Sequence, residues 1–277
     1  MDKEVCLAGR SGRAKTVEMI AALQIKVALR NGISYLKEAY FTPPLKVANI
    51  TEDKTANNLQ IAIMSASPGI LDGDDYQIKV VVEAGCNMQL HTQSYQRLFN
   101  MKTGATQLME VHLHNNASFV YLPHPSVPHE NASFKAVNKV HLGNHCSLVW
   151  GEVLTCGRKL NGEVFQFTKY HNDTEIFIIN KLIIKENLLM QPSLINPNLM
   201  GQMEGFTHQA SLIYIKEKID IDEICDAITD FLTTKEAMNF GVSTTPANGI
   251  VVRLLGHKAE QLHDCLKQIH TLVQTYP

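Results

Sequence analysis

Three sets of residues in this sequence have side chains that could carry chemistry: a run of carboxylates, a group of histidines and a glycine–lysine segment. Asp72-Gly73-Asp74-Asp75 places three carboxylates in four residues. It superficially resembles a calcium loop, but it lacks the later ligand positions and the closing Glu. A turn needs only Asp and Gly for its backbone angles, so the surplus charge leaves a second reading, carboxylates aimed into a polar channel. His112 and His114 fall on the same side of a strand, which suits two imidazoles on one ion. No third ligand lies at a diagnostic spacing, and an exposed strand face is the simpler reading. His124, His129, His141, His145 and Cys146 are spread over turns and could each bind a transition metal weakly. Gly9 to Thr16 nearly fits phosphate-loop spacing, but Ala14 replaces the Gly before Lys15 and no strand precedes it. It reads as part of a polar arm over residues 1–16.

No G-x-S-x-G elbow, HExxH or GxGxxG motif is present. The cysteines at 6, 86, 146, 156, 225 and 265 form no CxxC pair. They read as reduced thiols, and no spacing supports a Cys–His nucleophile. The expectation is a protein that binds and does not catalyse.

The elements that must position these residues are mostly strands. Leu23–Leu29 alternates apolar and polar residues and breaks at Asn31-Gly32. Further strands are expected over Gln60–Met64, Tyr76–Val82, Gln107–His114, Ser118–Leu122, Phe134–Leu142, Ser147–Leu154, Val164–Tyr170, Glu175–Lys185 and Ala210–Ile215. Short strands separated by turn signals suggest a sandwich, a barrel or a β-helix-like stack, and no fixed-period repeat decides among them. The end of the chain differs. Ile221, Ile224, Ile228 and Phe231 recur at helical spacing behind a first turn of acidic residues. Gly249–Gly256 reads as a strand, and Ala259, Leu262, Leu266, Ile269 and Val273 mark a second amphipathic helix. Helices are thus expected near 220–232 and 258–274. Their stripes must be buried against the β body or another protein, and these helices are expected to form part of a partner-facing surface.

The chain has 277 residues, 45% hydrophobic, with a formal net charge of -2. Nothing in that balance invites a nucleic acid or an anionic membrane. No apolar run approaches the roughly 18 residues of a membrane span, and the charged first residues do not read as a secretory signal. A cytoplasmic location is expected, and the sequons at Asn49, Asn116, Asn131 and Asn172 then carry no meaning.

Five stretches, in order, resemble the urease accessory protein D family, UreD or UreH. They are Pro68–Tyr76, His91–Phe99, Tyr121–Pro128, Trp150–Arg158 with Gly162–Phe165, and Pro246–Gly256. The resemblance covers about residues 20–275. Asp72 stands where the family usually has Gly, His91 where it has Thr, and Gln96 where a Thr is often found. The resemblance implies a mostly β fold, a β-helical, stacked-sheet body with a short pair of C-terminal α-helices, as one domain over 17–277. It implies a urease maturation factor that binds apo-urease, UreF and, through UreF, the GTPase UreG, with a homodimer of that complex also in view. It implies no catalytic residues and no tightly bound cofactor, only nickel in transit through an internal tunnel. Asp74, Thr92, Gln93, Glu152 and Glu163 match polar positions of the family motifs and are the expected metal path. A buried ion-pair network is the competing reading of Glu152, Arg158 and Glu163. Two other functions stay open: a β-fold enzyme acting on a small polar substrate through Asp74, His91 and Glu152, and an adaptor without a metal role.

The first prediction follows from the acidic turn. Asp74→Ala is expected to leave folding and partner binding nearly intact while lowering the nickel content of urease matured with it. Asp75→Ala should do less. Metal analysis of urease at matched protein levels checks this, and full nickel loading with Asp74→Ala would reduce the turn to turn chemistry.

Overall fold

The computed structural model describes residues 20–276; the polar arm and the Gly9–Thr16 segment lie outside the described residues. In chain order the strands are β1 (Ile20–Arg30), β2 (Ile33–Phe41), β3 (Leu45–Asn49), β4 (Leu59–Ser65), β5 (Asp75–Val82), β6 (Asn87–Thr92), β7 (Gln96–Leu98), β8 (Ala105–Leu113) and β9 (Ser118–Tyr121). Then come β10 (Ser126–Pro128), β11 (Ser133–Leu142), β12 (Ser147–Thr155), β13 (Lys169–Ile178), β14 (Lys181–Met190) and β15 (His208–Lys216). Helix α1 (Ile221–Thr233), β16 (Met238–Thr245), β17 (Gly249–Gly256) and helix α2 (Ala259–Val273) complete the chain.

The strands form two open sheets. Sheet A has the order β14-β13-β11-β8-β5-β1-β2, and sheet B has β16-β17-β15-β12-β9-β6-β4-β3. The chain passes back and forth between them from β4 to β13, so the middle of each sheet is parallel. This is a β-helical coil. Leu59 pairs with Met88, Asn87 with Ser118 and Ser118 with Ser147, steps of 29, 31 and 29 residues. Short strands β7 and β10 pair with each other on the side where the chain returns from sheet B to sheet A.

Alternation places one face of each sheet inside. Leu23, Val80, Val111, Phe119, Leu148 and Ile176 are fully buried between the sheets. Outside, the register lines up Lys79, Glu110, Lys139, Glu175 and Lys185 on five adjacent strands, with charge of alternating sign at each step. Like charges directly opposite destabilise a sheet, so this order favours the native register.

Sheet B has a second packed face. Its outward residues Val120, Val149, Val153 and Leu212 meet Ile224, Ile228 and Leu232 of α1 and Leu262, Leu266 and Ile269 of α2. Asp220 caps α1 by accepting from the amides of Asp222 and Glu223, at 3.2 Å each. Both apolar stripes are therefore covered by the chain's own sheet. Any partner contact of the helices must use their polar faces.

Two expected strands are placed differently. Val164–Tyr170 is mostly loop, and β13 begins only at Lys169. The run Glu175–Lys185 is a hairpin, because Ile179 and Asn180 take φ of 45° and 62°. Asn adopts that conformation readily, but Ile does so rarely and gives no turn signal. Strands β2, β3 and β16 carry mixed polarity and were not anticipated from the pattern.

A helix over Gly151 tests how far α2 belongs to the core. A Cβ on Gly151 would come within 3.1 Å of Leu266 Cδ1. Leu266→Ala is expected to cost about 2–5 kcal/mol of stability. Leu182→Ala, at a side chain 43% exposed, should change stability by no more than about 0.5 kcal/mol. Urea unfolding of both variants measures the contrast.

Candidate functional site

The coil interior changes character along the strands. Inward residues of sheet A pair in rows: Val80, Val111, Val140 and Ile176, then Ile78, Met109, Asn138 and Thr174, then Tyr76, Gln107, Ala136 and Asn172. Sheet B runs from Leu59, Met88, Phe119 and Leu148, through Ile61, Leu90, Tyr121 and Trp150, to Ile63 and Thr92. Glu152 lies two residues beyond Trp150 on the same face. The polar ends meet where β7 and β10 close the coil. One end of the sandwich is thus a hydrocarbon core and the other a polar chamber.

Its side chains are hydrogen-bonded in series. Ser126 Oγ donates to Gln96 Oε1 at 3.0 Å, and Gln96 Nε2 to Gln107 Oε1 at 3.1 Å. Asn138 Nδ2 donates to Asn172 Oδ1 at 2.8 Å and to Thr174 Oγ1 at 3.0 Å. Asn172 Nδ2 donates to Glu152 Oε2, and Ser211 Oγ to Glu152 Oε1 at 3.2 Å. Such networks satisfy groups that would otherwise be costly to bury.

Three cavities follow the same line. One of about 150 Å³ is lined by Ser65, Tyr76, Thr92, Gln93, Gln107 and His124. A smaller one of about 40 Å³ shares Gln107 and His124 and reaches Asn138, Glu152 and Asn172. A third of about 380 Å³, between β14 and the β15–β17 pair, is lined by Glu186, Ser211 and Arg253. Ser211 borders the third cavity and bonds Glu152 in the second, so Glu152 sits at the wall between them.

Glu152 is the most perturbed carboxyl on this line. Burial pushes it up to about 8, and the nearby Glu186 charge adds to the shift. Glu186 is itself raised by burial, with Arg253 opposing. A carboxyl held neutral can accept from Asn172 and Ser211 without leaving a bare charge in a low-dielectric interior.

The remaining expected path residues separate. Thr92 Oγ1 contacts His124 Nδ1 at 2.9 Å and lines the first cavity. Gln93 lines that cavity too, with its amide donating to Ile63 O at 3.0 Å. Asp74 Oδ2 accepts from the Leu71 amide at 2.8 Å. Burial and the Asp74 charge push Tyr76 up to about 12. Glu163 lies apart, in the β12–β13 connection. Arg158 Nε donates to it at 2.9 Å and the Glu130 amide at 3.2 Å, and the Arg158 bond holds its carboxyl below the usual range. It therefore ties loops together, and Arg158–Glu163 is an ion pair that does not include Glu152.

The acidic turn divides its labour. Asp72 Oδ1 accepts from the Thr103 amide and hydroxyl and the Gly104 amide at 2.7–2.9 Å, and the Thr103 hydroxyl helps lower it to about 2. Asp75 accepts from Thr106 Oγ1 at 2.9 Å and Gln77 Nε2 at 3.0 Å. Each carboxylate has donors of its own, so the surplus charge has a structural use in joining successive turns.

The histidines do not form a metal cluster. His112 stacks on His141 at 4.7 Å, and His141 on Phe177 at 4.8 Å, along the outer face of sheet A. His129 packs on Phe99, and His145 pairs with Glu217 at 2.7 Å. Among the described residues, no group of three or more His, Cys, Asp or Glu is arranged to hold a metal ion. Nor do Asp74, His91 and Glu152 converge, since no hydrogen bond joins them and no cavity described above is lined by all three. Among the described residues no helix is long and apolar enough to cross a membrane. Sequence reasoning missed Gln107, Asn138, Asn172 and Ser211. Their signal was a polar residue at an inward position of an alternating strand.

Comparison with known proteins adds a family. The model described as UreD urease accessory protein matches residues 19–276. The chain is 48% identical over 252 residues to a urease accessory protein UreD of Flavobacterium johnsoniae, covering 91% of each. It is 34% identical to the UreD of Acetivibrio thermocellus, over 91% of this chain and 96% of that one. It is 30% identical to the UreD of Haemophilus influenzae, over 88% and 95%.

The Glu152 shift sets a pH dependence. Its folded value of about 8 lies above the ordinary 4.5, so between these values the folded state binds more protons than the unfolded state. Stability is then expected to fall as pH rises from about 4.5 to about 8, by at most about 1.4 kcal/mol per unit, and to level off above. Glu152→Gln should flatten that slope. Urea unfolding at pH 5.5, 7 and 8.5 tests it, and parallel curves for the two proteins would contradict the assigned shift.

Proposed function

We propose a scaffold-and-conduit role in urease maturation for this chain, which belongs to the UreD urease accessory protein family. In this reading it is not an enzyme. It acts in the cytoplasm, binds apo-urease and UreF and, through UreF, the GTPase UreG, and lets nickel pass through its interior. The relatives' printed names, all urease accessory proteins, support the maturation role. The observation that carries the conduit is the polar line of cavities reaching Glu152 and continuing beyond Ser211.

The physics favours such a line. A divalent ion stripped of water in a low-dielectric interior is very costly unless oxygen or nitrogen ligands meet it at intervals. Tight sites would trap the ion, so ligands should come singly. Thr92, Gln107, Asn138, Asn172, Glu152 and Ser211 offer oxygens spaced along the cavities, each already held by hydrogen bonds to its neighbours and none part of a three-ligand cluster. Glu152 has a further property. While the path is empty its proton cancels the charge, and an arriving cation can displace that proton and gain a carboxylate. Return of the proton weakens the contact and lets the ion leave.

Glu152→Gln tests the proposal. It keeps an oxygen and the shape of the side chain but cannot become a carboxylate. Nickel content of urease matured with the variant is expected to fall on the order of tenfold, while co-purification with apo-urease and UreF stays unchanged. Unchanged nickel content would favour an adaptor without a metal role. Loss of co-purification would mean that the residue serves the fold or the interface.

A further inference from the structure

Glu152 belongs to a row that crosses sheet B. Ser211 of β15 stands opposite it, Arg253 of β17 opposite Ser211, and Gly241 of β16 opposite Arg253. Residues directly opposite in antiparallel strands share a face, so all four positions look toward sheet A, where Glu152 finds Asn172. A matching row crosses sheet A, with Asn138 of β11 beside Thr174 of β13 and Thr174 opposite Glu186 of β14. The two rows run from the polar chamber toward the β14 edge of one sheet and the β16 edge of the other. They begin in the bonded group of Asn138, Thr174, Glu152 and Ser211. They reach Glu186 and Arg253, which both line the cavity of about 380 Å³.

Arg253 Nη2 lies 3.4 Å from Glu186 Oε1. Among the described residues this is the one ion pair that joins the two sheets. The Glu186 side chain is 13% exposed and that of Arg253 69%, so the arginine covers the carboxyl from the solvent side. An arginine does not shed its proton. A cation passing between the rows therefore meets a permanent positive charge and goes by only if that side chain moves. Gly241 leaves room for the movement. Its backbone lies outside the left-handed region, and a Cβ built there would meet nothing within 4 Å. Neither conformation nor packing demands a glycine at this position. Glycine inside a strand weakens it and often marks a place that another group approaches closely. The long side chain beside it in the row is Arg253.

We propose that Arg253 is the gate at the outer end of this path: paired with Glu186 it closes the cavity, and turned over Gly241 it leaves Glu186 free to receive a divalent cation. A dication attracts a carboxylate more strongly than a guanidinium does, and nickel stands high among the first-row divalent ions in affinity for oxygen and nitrogen ligands. One positive partner replaces another, so the Glu186 charge is never left alone in the interior. A monovalent ion offers the carboxylate no more than the guanidinium already gives, and leaves the gate shut. The gate rests on the conduit reading and adds to it the residue that regulates passage.

Maturation of urease with full-length variants tests the gate. Gly241→Leu fills the space beside Arg253 and is expected to lower the nickel content of urease by about tenfold, with thermal unfolding and co-purification with apo-urease and UreF unchanged. Gly241→Leu combined with Arg253→Ala should recover most of that loss, since no guanidinium remains to be locked in place. Ser243→Leu, which adds the same bulk to the same face of β16 opposite Val251, should load nickel as wild type does. Should Gly241→Leu fail to fold, Gly241→Val must show the same loss and the same recovery. Normal loading with Gly241→Leu overturns the gate, as does a double variant no better than the single one. If Glu152→Gln starves urease of nickel while Gly241→Leu does not, the conduit stands and the gate falls. If neither lowers the loading, both fall.

Discussion

Parallel register between successive turns of the coil is the constraint on which the rest of this structure depends. In a parallel ladder each side chain has the corresponding residue of the neighbouring strand beside it, about 4.8 Å away. Polarity must therefore be settled row by row, because one charged or polar side chain inside an apolar row would have no partner. The inward row of Val80, Val111, Val140 and Ile176 is wholly apolar. The outward row from Lys79 to Lys185 alternates in sign. A shift of one residue would send the first row to solvent and the second to the core.

The same rule explains the polar chamber. Once Asn138 stands in an inward row, its amide needs acceptors in adjacent strands. Thr174 and Asn172 supply them, and Asn172 in turn needs a partner across the sandwich, which is Glu152. The chamber is thus a set of mutually dependent residues on both sheets. The connections β7 and β10 add Gln96 and Ser126 at the one side where the coil would otherwise open. An end of the core that is polar in this way forgoes hydrophobic burial, and the two helices on the back of sheet B supply a second apolar cluster that offsets the loss.

How much of this was legible depended on whether a residue's neighbours lay near it in sequence. Strands with one exposed face, such as Leu23–Leu29 and Gln107–His114, announced themselves by alternation. The two helices did so by their apolar stripes, and they occupy Ile221–Thr233 and Ala259–Val273. The coil itself was hidden. Its steps vary from 28 residues at Ser126↔Leu154 to 36 at Lys135↔His171, because the connections between successive strands differ in length. The hairpin at Ile179-Asn180 was hidden because Ile is not a turn residue. Glu152 could be singled out through motif resemblance. Asn138 and Asn172 could not, since their partners lie 20 to 36 residues away on other strands.

The character of the chamber argues that Glu152 is not retained for stability. A carboxyl raised by burial favours the unfolded chain throughout the range between its two proton affinities, and a glutamine would make comparable hydrogen bonds without that penalty. Asp72 shows the opposite arrangement, a carboxylate lowered by the Thr103 hydroxyl and by backbone amides, which joins two turns of the coil and stabilises it. Asp72 and Glu163 are ionised groups at the edge of the coil whose donors account for them. Glu152 is a proton-binding group in the interior, placed between two cavities and opposite a second carboxyl. Glu152 too has donors, in Asn172 and Ser211, but they do not draw its proton affinity down as those of Asp72 do, and burial leaves it a group that gives up or takes a proton inside the fold.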